Sequence, residues 1–567
     1  MPEEKNFPQA RPLASHSDLW FWALLVLGNL LLFIPRWLFV EPRVFSVNLE
    51  FSLAVILLVG IGWSWKRGIR GIYWGFFLLF FYVAIIYKGY AGVLQGVYQL
   101  EPNFTNDIPF ITNGLPFLLG SLNVPHGYYV AFMVGVALLF AFIGYVTYTL
   151  FIHRVETVGR LTSMLMISLG MVLLLYGAAD LRLGDRLPTG VDSLSNEISL
   201  NVRASRASEE NIDRFLAQNP YAAYDYVQYP LAETPNIYIF FVESYGSVLY
   251  TNAELTNAYL PLANELEADL QADGWQSVSA LSTAPTWGGG SWMSYTSALF
   301  GVNVSEQSEY LALRDEYEKI PYPNMGRYFH TQGYEFVWVV PIDRELPPKY
   351  QAADHAFYGA DRWVTYNTLN YDGPMYGWGP SPPDQYTFGF IADLVQTAKQ
   401  PTFLFYLNQD SHYPWLPLPE RVDDWRTLAT SSVKGGKLSI EDNRDISVFQ
   451  ARENYANAIA HSFENLREFI TDLDDPNAVI VLMGDHQPPT VSRQDDGFAT
   501  ILHIISHDID LLENFKNFGF EDGLVLNSTQ PKLAHEGFYS LFIRNFLARY
   551  GSEPTNLPPY LAQGLNY

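Results

Sequence analysis

Five apolar runs crowd the first third of the chain: Leu19–Val40, Phe51–Trp65, Ile72–Tyr87, Tyr128–Ile152 and Leu161–Ala179. Each approaches the roughly 20 residues that cross bilayer hydrocarbon, the second and third only with their flanks, so the pattern predicts five membrane spans. After Pro235 the pattern changes. Short, nearly continuous apolar runs at 236–242 (NIYIFFV), 336–340, 402–407, 478–483 and 501–505 alternate with helix-like stretches such as YLPLANELEADL and YANAIAHSFENLREFITDL. Such runs predict buried parallel strands joined by crossover helices, hence an α/β domain with a mainly parallel central sheet. The intervening polar stretch, with SEENIDRFLAQNP as an amphipathic helix, reads as a linker. The expected organisation is a five-helix transmembrane domain over 1–181, a linker over 182–235 and a globular domain over 236–567.

Lys and Arg orient this arrangement. Lys5 and Arg11 precede the first span, Lys66, Arg67 and Arg70 fall between the second and third, and Arg154 and Arg160 between the fourth and fifth, all on one side. The other side holds mainly Arg43 and Lys88, so the excess of positive charge predicts a cytoplasmic N-terminus and an extracytoplasmic 236–567 domain on a multi-pass protein of the cell membrane. The first run is long and lacks a small-residue cleavage site, which predicts a retained anchor. Residues 88–127, rich in Pro, Gly and aromatics, read as an outer loop, either at or in the membrane interface or simply packed. The chain has no cysteine, which removes thiolate nucleophiles and thiolate metal sites. A formal net charge of −25 opposes a nucleic-acid partner, whose phosphates require a basic footprint. Oligomeric state leaves no mark in the sequence.

In an open parallel sheet, functional groups collect beyond the carboxyl ends of the strands. The first predicted strand of the globular domain runs into Glu243 and Ser244, the third through Asn408 and Asp410 to His412, and the fourth into GDHQPP with Asp485 and His486. Between the first and second lies STAPTWGGGSWMSYTSALFG, in which three glycines precede Ser291 at the start of a predicted helix. A carboxylate, an Asp–His pair and a hydroxyl form a compact donor set for one divalent cation, with Mn²⁺, Mg²⁺ and Zn²⁺ all suited. The glycines permit close backbone approach, and N–H groups at the helix start favour an anion beside the hydroxyl. Taken singly, each piece has a plainer use: a turn, an N-cap serine, a surface carboxylate.

Taken together, IYIFFVES, APTWGGGSW…ALFG, FYLNQDSHYPW and VIVLMGDHQPP resemble the lipoteichoic acid synthase branch of the alkaline phosphatase/sulfatase superfamily, over nearly the whole chain. The resemblance implies one divalent metal, Mn²⁺ first, held by Glu243, Ser291, Asp485 and His486, with His412 and, more weakly, Arg344 as substrate-binding residues. It implies a hydroxyl nucleophile. Ser291 is preferred because it stands ten residues before Gly301, the spacing of the sulfatase nucleophile; Thr286, fifteen before it, is the alternative. Trp287 and Trp415 flank these motifs and are candidates to shape a headgroup pocket, or else pack in the core; His503 and His535 carry no role beyond pocket lining. The Cys/Ser-x-Pro-x-Arg signature of sulfatases is absent, and Val242-Glu243 replaces their paired aspartates, which disfavours sulfate ester hydrolysis. The implied activity is transfer of a phospho-headgroup, phosphoglycerol or similar, from a membrane phospholipid to an extracytoplasmic glycan or lipid through a covalent Ser or Thr ester. A metal-dependent sulfatase or phosphodiesterase and a non-catalytic membrane-anchored binding protein are the alternatives.

Overall fold

The computed structural model describes the chain except residues 1–12, 40–44, 63–66, 122–125, 151–157, 184–189, 218, 318–319, 343–347, 377–380, 431–446 and 566–567. Arg344 and five of the charges that orient the spans, Lys5, Arg11, Arg43, Lys66 and Arg154, lie outside the described residues. The chain forms two compact units, one of residues 1–104 and 124–206, the other of residues 105–123 and 207–567.

In the first unit, four described helices are long and apolar enough to cross a membrane: His16–Phe39, Gly71–Gly96, Gly127–Thr149 and Arg160–Ala179. The second expected span is a 14-residue helix, Leu49–Gly62, shorter than a bilayer requires by itself. Phe21, Phe51, Phe77 and Phe81 make its core, and Asn29 bonds Ser52 within it. Lys88 pairs with Asp192 at 2.9 Å and Glu197 at 2.6 Å, which ties the start of the helix Leu194–Leu216 to this unit. The outer segment expected to be a loop instead carries a helix, Phe104–Ser121, whose residues from Thr105 belong to the second unit.

The second unit is built on a nine-stranded sheet. In chain order its strands are β1 (Ile237–Val242), β2 (Gln276–Thr283), β3 (Glu335–Val340), β4 (Arg362–Thr365), β5 (Thr402–Leu407), β6 (Val479–Gly484), β7 (Ala499–Ser506), β8 (Glu521–Asp522) and β9 (Leu533–Ala534). The spatial order is β8-β2-β7-β6-β1-β5-β3-β4, with β9 paired to β2. Strands β4, β3, β5, β1 and β6 are mutually parallel. All six residues of β1 are buried: Ile237, Ile239 and Phe241 enter one core layer, while Tyr238, Phe240 and Val242 enter the other. The helices Ser291–Phe300 and His535–Tyr550 cover the first face; Ala253–Ala272 and Val448–Thr471 cover the second.

Two features depart from the sequence reading. The run at 501–505 lies in β7, antiparallel to β6 and to β2 rather than parallel. Only residues 485–498 separate β6 from β7, Pro488 and Pro489 oppose a helix there, and without a crossover helix the chain turns back. Strand β2, QSVSALST, escaped the search for apolar runs because half its positions are serine or threonine. Two of those hydroxyls are buried against imidazoles: Ser279 on His503 Nδ1 at 2.5 Å and Ser282 on His535 Nδ1 at 2.9 Å.

Asn408, directly after β5, fastens three elements. It donates its backbone N–H to Phe241 O, accepts the Glu243 N–H on Oδ1 at 2.8 Å and donates Nδ2 to Ser462 Oγ at 3.0 Å. Asn408→Ala leaves a buried N–H unpaired and is expected to cost about 1–3 kcal/mol. Thermal unfolding of the detergent-solubilised chain should register a midpoint lower by a few degrees; an unchanged midpoint contradicts this role.

Candidate functional site

Strand register makes the first half of the site. Val242 of β1 faces Gly484 of β6, so the next residues, Glu243 and Asp485, emerge side by side at the carboxyl edge. Ser244 then adopts a left-handed φ of 60°, uncommon for a residue with a side chain. In that conformation its N–H reaches Asp485 Oδ1 at 2.7 Å and its Oγ donates to Glu243 Oε1 at 2.9 Å, while Tyr455 holds its carbonyl. His486 donates its own N–H to Asp485 Oδ1 at 2.7 Å and its Nδ1–H to Gln487 O at 3.0 Å. The second bond fixes the ring so that Nε2 faces the carboxylates, 3.4 Å from Glu243 Oε1 and 3.3 Å from Asp485 Oδ2.

The hydroxyl comes from the other flank. Because β2 is antiparallel to β7, and β7 to β6, β2 runs the same way as β6 and ends at the same edge. The glycine turn then carries the chain into the helix Ser291–Phe300. Gly290 sits at a left-handed φ of 79°, a conformation that residues with a side chain rarely adopt. The first turn of the helix has no side-chain cap. Ser291 Oγ lies 3.2 Å from Glu243 Oε2 and 3.4 Å from His486 Nε2. Thr286 is outside this group; its Oγ1 meets Ser294 Oγ at 3.1 Å in a buried pocket.

Glu243, Asp485 and His486 offer one donor atom each within 4.8 Å of one another, the only such group of three or more among the described residues. All three are buried. Asp485 Oδ2 makes no hydrogen bond despite full burial, an orphaned acceptor facing the cluster. Burial and the neighbouring Glu243 push the Asp485 carboxyl up to about 7. His486 is raised as well, since Asp485 and Glu243 outweigh the opposing effect of burial. Crowded carboxylates, an orphaned oxygen and a preset imidazole fit a small divalent cation.

His412 is half-buried, and its Nδ1–H donates to Tyr413 O. Burial brings its pKa down to about 4, so at neutral pH the ring is uncharged and its lone pair resides on Nε2. Trp415 is 3% exposed, lies against Tyr455 and donates to Ser411 O at 3.0 Å, so it clamps the loop and offers little surface to a ligand. Trp287 is 7% exposed, with an Nε1–H that has no partner. Trp292, in the first turn of the helix Ser291–Phe300, donates to Gln307 Oε1 at 2.7 Å and stacks against Phe110 from the helix Phe104–Ser121. His503 bridges Ser279 and Tyr245, and His535 bridges Ser282 and Gly484 O; both are buried internal ties rather than pocket lining. The sequence reading missed the parts of Ser244 and Ser411, whose Oγ donates to Glu243 O at 2.8 Å; each adjoins a residue that the motifs did single out.

Residues 290–517 match the family described as Sulfatase, a match that begins one residue before Ser291. No curated protein matches the sequence. Among solved structures the chain is similar to a protein in the alkaline phosphatase superfamily from Vibrio parahaemolyticus, at 14% identity and a TM-score of 0.31, over 49% of this chain and 62% of that one. It is similar to the lipoteichoic acid synthase LtaP from Listeria monocytogenes, at 14% identity and a TM-score of 0.35, over 60% of this chain and 79% of that one. It is also similar to the phosphoglycerol transferase GacH from Streptococcus pyogenes, at 15% identity and a TM-score of 0.34, over 59% of this chain and 77% of that one. The chain thus carries a sulfatase-family domain over residues 290–517.

Proposed function

We propose that this protein is a membrane-bound phosphotransferase of the lipoteichoic acid synthase-like branch, which moves a phospho-headgroup, phosphoglycerol or similar, from a phospholipid to an extracytoplasmic glycan or lipid. The observation that carries the reading is the placement of the Ser291 hydroxyl within hydrogen-bond distance of both Glu243 and His486, beside an orphaned oxygen of Asp485. A divalent cation held by Glu243, Asp485, His486 and the Ser291 oxygen, Mn²⁺ first with Mg²⁺ and Zn²⁺ suiting the same donors, would supply positive charge that favours the alkoxide and draws in a phosphoryl oxygen.

Ser291 Oγ forms the bond to phosphorus while the bond from phosphorus to the diacylglycerol oxygen breaks; the hydroxyl proton of Ser291 ends on the departing diacylglycerol. In the second displacement an acceptor hydroxyl oxygen bonds to phosphorus and the Ser291 ester breaks. The acceptor's proton passes first to His412 Nε2, which the bond from Nδ1 to Tyr413 O leaves as a base, and finally to Ser291 Oγ. N–H groups at the uncapped start of the Ser291 helix take up negative charge on the phosphoryl oxygens. Arg344 is proposed as a further phosphate contact on its sequence position alone. The half-exposed Trp292, one residue beyond the nucleophile, is better placed to touch a headgroup than the buried Trp287 or Trp415.

The test is peptide mass mapping of the full-length chain after incubation with phospholipid and Mn²⁺ but no acceptor. A phosphate-linked adduct on Ser291 is expected, together with loss of turnover by at least about 10³-fold in Ser291→Ala and by less than about tenfold in Thr286→Val. An adduct on Thr286 reassigns the nucleophile, and an unmodified 282–301 peptide removes the covalent mechanism. Cation binding should depend on pH with a definite sign. Protons compete with the cation for Asp485 below about pH 7 and for His486, whose pKa is raised as well, so Mn²⁺ affinity rises with pH through the neutral range by up to about tenfold per unit for each proton displaced. Calorimetric titration of the purified chain at several pH values reads this directly, and an affinity that is flat or falls with pH contradicts the assigned ligands.

A further inference from the structure

A second buried acid–base cluster lies beneath the loop that carries His412, outside the group around Ser291. Asp384 begins the helix Asp384–Gln396 and is fully buried. Its carboxylate accepts the Tyr406 hydroxyl at 2.6 Å and the backbone N–H groups of Gln409 at 2.8 Å and Asp410 at 2.9 Å. Asp410 returns the contact: its Oδ2 accepts the Asp384 N–H at 3.1 Å, His461 Nε2 at 3.0 Å and Asn465 Nδ2 at 3.2 Å. Asn465 is held in turn by Arg421, which also pairs with Glu468.

Two carboxylates with little solvent around them cost stability unless they do something that apolar packing cannot. Burial and the nearby Asp410 push Asp384 up to about 7, and His461 is raised by its bond to Asp410 despite burial. What the pair achieves is visible in the backbone. Three residues after β5 the chain must leave the sheet, satisfy consecutive N–H groups away from water and arrive at His412 in one conformation. The Asp384 carboxylate takes two of those N–H groups. The following residue, Ser411, donates to Glu243 O at 2.8 Å, so the same few residues also brace the end of β1.

We propose that Asp384, Asp410 and His461 are positioning residues that fix the 408–412 loop, and through it His412, for the transfer step. The inference rests on the proposed function, since it assigns work to His412 in that reaction. A displacement of about 1 Å at a proton-accepting group lowers the rate by up to about 10²-fold without changing what holds the substrate.

The experiment measures steady-state diacylglycerol release by the full-length chain from vesicles of phosphatidylglycerol and phosphatidylethanolamine with Mn²⁺ and excess glycerol as hydroxyl acceptor, so that both displacements turn over. Asp384→Asn and His461→Leu are expected to lower kcat by about 10- to 100-fold, with KM for the lipid within about twofold and bound Mn²⁺ unchanged. His461→Gln, which keeps a hydrogen-bond donor for Asp410, is expected to recover most of the loss. Turnover within about twofold of the parent in both disruptive variants, with Ser291→Ala inactive, overturns the positioning role and leaves the proposed function standing. Full turnover by Ser291→Ala overturns the proposed function instead. If Asp384→Asn does not fold, the two His461 variants decide. A His461→Leu chain that loses bound Mn²⁺ in step with turnover, or a His461→Gln chain no better than His461→Leu, marks the cluster as structural only and overturns the proposal.

Discussion

Register between β1 and β6 sets the carboxylates of Glu243 and Asp485 next to each other at a buried sheet edge, where water cannot screen them. Like charges so placed repel strongly, and the chain answers with every donor within reach. Ser244 turns into a left-handed conformation to give both its N–H and its hydroxyl, His486 gives its backbone N–H and turns its ring nitrogen inward, and Ser291 brings a hydroxyl from the start of a helix. Asp485 Oδ2 is still left over. The arrangement is costly as a fold element and economical as a cation cradle, which is why the proposed chemistry accounts for it better than packing does.

Much of this could be read from the sequence, because residues that follow apolar runs are fixed by the runs. Glu243, Asp485 and His486 each adjoin a strand whose burial is continuous, so their place at the sheet edge follows from local pattern. Ser291 was legible through its glycines. Other parts depend on pairings that local pattern does not carry. Strand β2 hides behind serines whose hydroxyls bond His503, Gly523 O and His535, all more than 200 residues away. The reversal of β7 follows from a connection too short and too proline-rich for a crossover. Asp384 sits in SPPDQY, which reads as an ordinary helix start, and its bonds to residues 406, 409 and 410 appear only when the helix is docked.

That reversal has a consequence for the site. Had β7 been parallel to β6, and β2 antiparallel to it, β2 would have ended at the opposite edge and Ser291 would lie a strand's length from Glu243. The antiparallel step on one flank returns β2 to the direction of β6, so a hydroxyl enters from that flank while the 408–412 loop enters from the parallel flank beside β1. The two groups thus approach the carboxylate pair from opposite sides of it along the sheet.

The two histidines of the site show how far environment divides one residue type. Both donate Nδ1–H to a carbonyl of the following residue, so both have Nε2 available for chemistry. His486 stands against two carboxylates, which hold its pKa above the usual value, so a cation entering the cluster would displace a proton from it. His412 has burial as its main influence and is driven down to about 4, so its ring is neutral, as the proposed role of base requires. Environments that push like groups apart in this way are what allow one residue to hold a cation while its twin handles a proton.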